Sequence, residues 1–212
     1  MSYKMKLVIL TKSAKHGGFC VAGINLYKNK NWFARIVKND DGDAVTDEDI
    51  AGAKPLDVIE VVVKGNKKKH NQTENFPIDF DADTPVKIVG RETVDYVKNL
   101  CDKQEFEHIG FFNNTKRSLT EEDVSRISYS LSAIKVKDLT IYKDLNNKFK
   151  ADFTFNGDKM TAISMTDPDY YKGYDSVNIK NAILIVSLPS ESFTKNNKDY
   201  GYYKFIAKIF EI

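Results

Sequence analysis

Apolar positions in this chain recur in short runs of strand length, not in long helical stripes. Lys6–Thr11, Phe19–Ile24, Trp32–Val37 and Asp57–Lys64 are rich in β-branched and aromatic residues, and clusters of glycine, asparagine and aspartate separate them. They predict a meander that closes on itself, with a hairpin-sized polar connection around Asn29–Asn31. In the middle, Val94, Val97 and Leu100 give Arg91–Cys101 a helical spacing, and Thr120 followed by Glu121, Glu122 and Asp123 predicts a second helix start. Strand patterning then returns over Lys137–Tyr142, Phe149–Phe155, Met160–Met165, Ala182–Ser187 and Tyr203–Phe210. The Asn156-Gly157 dipeptide between two alternating segments predicts a type I′ hairpin, with Phe149, Ala151, Phe153 and Phe155 on one face. About five strands on each side of a helical middle predict two small barrels or sandwiches in tandem. Neither half shows a helix after each strand, so a parallel α/β fold is excluded, and no internal repeat is visible.

Composition changes this picture little. The 212 residues, 42% of them hydrophobic, are enough for one large β domain or two small ones. With 32 basic and 30 acidic side chains the net charge is +2, so a nucleic-acid partner would have to be held by a local patch. Lys4 and Lys6 interrupt the apolar run of Met1–Leu10, and Ala182–Val186 is far too short for a bilayer; neither a signal peptide nor a membrane span is expected. Two cysteines, Cys20 and Cys101, lack metal-type spacing and fit free thiols in a reducing cytoplasm. Cys20 lies in an apolar run and reads as a small buried hydrophobe. The acidic stretch Asn39–Asp49 lacks the calcium-loop pattern and reads as a solvated excursion, so neither a metal nor a cofactor is expected.

Leu7–Lys15 with Gly18, Cys20, Val21, Ala22 and Gly23; Trp32 with Arg35 and Val37; Leu56–Val61; Gln72, Glu74 and Asn75; Thr166, Asp167 and Pro168; Ser187 and Leu188; and Tyr203–Ala207 follow one another along nearly the whole chain. Together these segments resemble the dual OB-containing domain family of bacteria and their mobile elements. Ile36 stands where the family often has proline, and Phe205-Ile206 where a Leu-Val pair is common. The resemblance implies a mainly β chain of two OB-like small β-barrels with a short helical connector: residues 1–90, 131–212 and 91–130 respectively. It also implies nucleic-acid or nucleotide binding in a bacterial or phage defence, repair or mobile-element context, and no established reaction.

Lys12, Lys15 and His16 precede Gly17 and Gly18, so a loop after the first strand would present cations beside exposed backbone N–H groups that suit a phosphate. Walker spacing is absent, and a hairpin loop that needs glycine with solvated lysines explains the same residues. Arg35 lies on the face opposite Trp32 and either forks onto a phosphate or pairs with a neighbouring acid. His70, Gln72, Glu74 and Asn75 offer donors and acceptors for a base edge; alternatively His70 and Glu74 act as acid and base in an enzyme, or the segment is a capped turn before Pro77. Lys67, Lys68 and Lys69 read as a solvated loop or a contact to phosphates. Thr166 and Asp167 start a turn. Tyr170, Tyr171 and Tyr174, with Tyr200, Tyr202 and Tyr203, are interleaved with Lys172, Lys180, Lys195 and Lys198; they either stack bases of a single strand or fill the barrel core. A protein-interaction module is the third reading, and it would show no salt-sensitive nucleic-acid binding.

Overall fold

A computed structural model describes residues 2–26, 32–171 and 176–212; the connection expected around Asn29–Asn31, and Lys172 and Tyr174, lie outside the described residues. The chain divides into two compact units, Met1–Lys69 with Thr73–His108, and His70–Gln72 with Ile109–Ile212. No helix among the described residues is long and apolar enough to cross a membrane.

In the first unit, β1 (Tyr3–Lys15), β2 (Gly18–Asn25), β3 (Trp32–Val37), β4 (Asp57–Val63), β5 (Asn75–Pro77) and β6 (Val86–Arg91) form one sheet in the order β5-β3-β2-β1-β4-β6. β5 runs parallel to β3, with Arg35 opposite Asn75. Just past β5 the chain reaches β4: Lys64 donates its N–H to the Pro77 carbonyl at 2.9 Å, and Asp79 donates to Val62 at 2.8 Å. The sheet therefore curls, and its fifth strand bridges the third and the fourth. Alternating residues Met5, Leu7, Ile9, Ile59 and Val61 fill the interior with Val21, Ala34, Ile36 and Phe76. The acidic stretch is not merely a solvated excursion. Val45 within it, with Ile50 and Ala53 just after it, joins this core, and Phe19 and Val45 exchange backbone hydrogen bonds at 2.8 and 3.1 Å. Aspartates dominate the composition there, but Val45 among them is a core residue. α1 (Val94–Asp102) begins later than Arg91 because the Thr93 side chain caps it, and it buries Val97, Leu100 and Cys101.

In the second unit, β7 (Ser118–Leu119) and α2 (Glu121–Ser125) precede β8 (Leu131–Lys143), β9 (Phe149–Phe155), β10 (Asp158–Met165) and β11 (Ser176–Ser187). After them come β12 (Thr194–Lys195), β13 (Lys198–Asp199), β14 (Tyr202–Tyr203) and β15 (Phe205–Glu211). Thr120 and Asp123 form the expected reciprocal cap on α2. Five strands close a barrel in the order β10-β15-β11-β8-β9, with β10 parallel to β15. The connectivity matches the first unit: first strand between second and fourth, fifth strand parallel to third. That is the five-stranded Greek-key barrel of OB-like domains. Asn156 and Gly157 both take left-handed φ angles of 52° and 90°, as a type I′ turn requires, and Ala151 and Phe153 are buried in the core with Phe149 and Phe155 packed against it. β8 starts at Leu131, ahead of the expected Lys137, because its early residues pair along β11 as far as Leu131 with Ser187.

Candidate functional site

In OB-like barrels, ligands meet the loops between first and second and between fourth and fifth strands. In the first unit these are the β1–β2 turn, His16 and Gly17 with the strand ends Lys15 and Gly18, and the β4–β5 loop, with Lys67, Lys68 and Lys69. The two loops converge. The Lys15 ammonium donates to the Gly42 carbonyl at 2.7 Å, and that of Lys69 to the neighbouring Asp41 carbonyl at 3.0 Å. Enclosure of its ammonium end pushes Lys15 below the usual lysine range; Arg35 and Lys69 push the same way, against Cys20 and Asp43. An ammonium in that position gains from an arriving anion.

Two further cations here, Lys67 and Lys12, are already engaged. Lys67 pairs with Asp40 at 2.8 Å. Lys12 forms an ion pair with Asp47, donates to Ala53 at 3.1 Å and lies over the Phe19 ring, so it holds the acidic stretch to the barrel. Gly18 has a packing reason to be glycine, since a Cβ there would meet the Val45 carbonyl oxygen at 2.4 Å. Cys20 is half-buried and a free thiol.

Arg35 does lie across the strand from the core-packed Trp32, yet it is only 2% exposed. Its guanidinium faces Glu74 at 3.8 Å and the Asn75 side-chain oxygen at 3.4 Å, while its backbone N–H donates to the Glu74 carbonyl at 2.7 Å. Burial pushes His108 down, against the pull of Glu107 and Glu74. Arg35, Glu74 and Asn75 are thus one buried polar cluster beneath the β4–β5 loop. His108 is near it, although no feature of the sequence around it signals this.

His70 and Glu74, neighbours in sequence, address different partners. His70 Nε2 is 3.1 Å from Glu121, and its ring stacks on Tyr202 with centroids 5.6 Å apart. The Tyr202 hydroxyl donates to Glu121 at 2.5 Å, and burial with that carboxylate pushes its phenol up to about 12. Gln72 donates its side-chain amide to the Leu188 carbonyl at 3.1 Å. His70, Gln72, Glu121 and Tyr202 all belong to the second unit, whereas Glu74 and Asn75 belong to the first.

The remaining candidates also lie in the second unit. Thr166 bonds the Ile206 carbonyl through its backbone N–H at 2.9 Å. Asp167 is fully buried and accepts from Lys208 at 3.1 and 3.2 Å and from the Ile209 N–H at 2.9 Å. Tyr170 donates to Glu211 at 3.0 Å, and burial with that carboxylate holds its phenol well above the usual range. Tyr171 is exposed and stacks on Phe149 at 5.0 Å, with Lys143 over the Phe149 ring.

Two OB-like barrels in one chain, the first with loop cations gathered beside a buried arginine, define a double-barrel β protein. The chain belongs to the dual OB-containing domain family, whose sequence profile matches residues 5–209. Among solved structures it is similar to a murine DNA-binding protein bound with double-stranded DNA, at 8% identity and a TM-score of 0.34, with all of both chains covered. No curated protein matches the chain.

Proposed function

We propose that the chain is a nucleic-acid-binding module whose first barrel holds phosphates between its β1–β2 and β4–β5 loops. The observation that carries this reading is the convergence of Lys15 and Lys69, from two separate loops, on the adjacent carbonyls of Gly42 and Asp41. Both rest on neutral backbone oxygens, so a phosphate recruits them without breaking an ion pair with a carboxylate. Lys12 and Lys67 differ, because each would have to leave an aspartate. Arg35, held by Glu74 and Asn75, adds positive potential from beneath the loops. A nucleotide presents the same phosphate chemistry as a strand. The setting we propose, a bacterial or phage defence, repair or mobile-element system, rests on the family resemblance.

The test is fluorescence anisotropy of labelled single-stranded RNA, single-stranded DNA and duplex at low and moderate salt. Binding is expected to weaken as salt rises, and K15A/K69A is expected to weaken it further and lower the log–log salt slope by about 2. K12A, which removes a lysine already paired with Asp47, is expected to leave that slope unchanged. Binding that ignores both salt and K15A/K69A would refute the phosphate site. Absence of binding to all three probes would turn the search to small nucleotides or a protein partner.

A further inference from the structure

The long β11–β15 connection of the second barrel is the counterpart of the lysine loop in the first, and it carries a different chemistry. It holds out a short hairpin, β12–β13, whose turn residues Asn196 and Asn197 both take left-handed φ angles of 50° and 57°. Type I′ turns of this kind match the twist of the flanking strands and close two-residue hairpins. The base of the hairpin is closed by Phe193 donating its N–H to the Gly201 carbonyl at 2.9 Å and Tyr200 donating to Phe193 at 2.8 Å. Gly201 packs so tightly that a Cβ would meet the Leu119 carbonyl oxygen at 2.2 Å. Below it, β14 pairs with β7.

This element presents aromatic rings to water. Phe193 is 51% and Tyr200 40% exposed, and Tyr203 packs against Phe193 with centroids 5.9 Å apart. By strand alternation Tyr202 turns inward to Glu121 while Tyr203 joins the outer cluster. The rings are accompanied by cations: Lys198 lies over Tyr200 at 5.3 Å, and Lys195 pairs with Lys198 across the hairpin. The Asp199 carboxylate accepts the Gly201 N–H at 2.8 Å and is tied into the turn. At the base, exposed Arg117 accepts the Lys204 N–H on its backbone carbonyl and acts on the Tyr142 phenol, which burial and Asp152 push up and Arg117 pulls down. Tyr142 adjoins Lys143, the lysine above the Phe149–Tyr171 stack. Flat rings held in water beside lysines suit unpaired bases, whose faces stack and whose phosphates meet the ammonium groups; a closed duplex offers no free base faces along its length.

We infer that the Phe193–Gly201 hairpin is a base-stacking platform for single-stranded nucleic acid, with Phe193 and Tyr200 as the stacking rings and Lys195 and Lys198 on the adjacent phosphates. The inference rests on the nucleic-acid reading above and assigns it a strand class. Its test compares wild type, F193A/Y200A and F193L/Y200L on a labelled single strand containing 2-aminopurine and on its duplex. The rings pack on each other and on Tyr203, so F193A/Y200A is expected to melt somewhat below wild type and F193L/Y200L, which keeps the apolar bulk, close to it; affinities are compared per folded molecule. Both variants are expected to lose at least about tenfold in single-strand affinity. They should also lose the 2-aminopurine quenching that stacking produces, with duplex affinity and salt slope unchanged. Leucine keeps the apolar bulk without a flat face, so F193L/Y200L binding as well as wild type would overturn the platform. Undiminished binding by F193A/Y200A would overturn it too, leaving the nucleic-acid reading in place. Wild type that binds no nucleic acid would overturn that reading and the platform with it.

Discussion

Lys204→Met is expected to destabilise the second barrel by about 2 kcal/mol, because it takes the donor from buried backbone and side-chain oxygens. Lys204 is fully buried just before β15. Its ammonium donates to the Phe111 carbonyl at 2.8 Å, the Asn114 carbonyl at 2.7 Å and the Asn114 side-chain oxygen at 2.8 Å, and it lies 3.9 Å from the centre of the Phe111 ring. One ammonium therefore ties the irregular segment ahead of β7 to the barrel, and its own backbone N–H donates to Arg117 in the same segment at 2.9 Å. Methionine fills the space but donates nothing: the Asn114 side-chain oxygen keeps the Lys116 N–H at 3.1 Å and the Phe111 carbonyl the Asn114 N–H at 3.5 Å, while the Asn114 carbonyl loses the ammonium. Thermal unfolding followed by circular dichroism should show the transition of the second unit about 10 °C lower. An unchanged midpoint would mean that the segment is held by its apolar contacts alone.

The same lysine predicts a pH signature. Burial pushes its ammonium down from 10.5 to about 7. Between those values the unfolded chain carries a proton that the folded chain lacks, so wild-type stability should rise with pH from about 7 and level off near 10.5. Below 7 both states are protonated and the contribution is flat. Denaturant titrations at several pH values across this window should give wild type a rising component that K204M lacks. Taking the difference between the two proteins removes the contributions of the tyrosines, which titrate in both.

What the sequence made legible was local. Trp32–Val37 and Phe149–Phe155 have the bounds expected of them, because alternation and flanking turn residues lie within the segments themselves. The Asn156-Gly157 turn and the Thr120 cap were legible for the same reason. β5 was not: Asn75–Pro77 is too short for a period and contains proline, and it is a strand only because it pairs in parallel with β3. β12 to β14 are two residues each, and their order comes from the Asn196-Asn197 turn and from pairing with β7. Among the candidate residues, Arg35, Glu74 and Asn75 were each visible as polar groups among apolar ones. That they would share one buried cluster, while His70 turned to Glu121, depends on the path of the β4–β5 loop, which no periodicity records. The Lys15–Lys69 convergence was hidden for a similar reason: its common ground is two backbone carbonyls, and these carry no residue identity.

Asp167→Ala is expected to cost about 3 kcal/mol of stability and nothing in nucleic-acid affinity per folded molecule. Asp167 caps the 3-10 turn Pro168–Tyr170, accepting the Asp169 N–H at 3.2 Å, and also holds Lys208 and the Ile209 N–H of β15. It therefore pins the chain after β10 to the strand that β10 itself adjoins in parallel. Burial pushes its carboxyl up more than Lys208 and the backbone donors pull it down, so ionisation is held at a net electrostatic disadvantage. Removing the acid alone leaves Lys208, itself 7% exposed, with the more exposed Asp169 as its remaining carboxylate partner among the described residues. Replacing both members by apolar residues removes the desolvation penalty along with the attraction, so D167L/K208M should be markedly more stable than D167A. Denaturant unfolding of wild type, D167A, K208M and D167L/K208M measures this recovery, and anisotropy on the same proteins measures binding. If D167A unfolds like wild type but binds oligonucleotide more weakly, Asp167 is a ligand contact and the structural pin is wrong. If the double variant is as unstable as the single ones combined, the pair is not energetically coupled, and the stability of this corner comes from the bonds to the backbone.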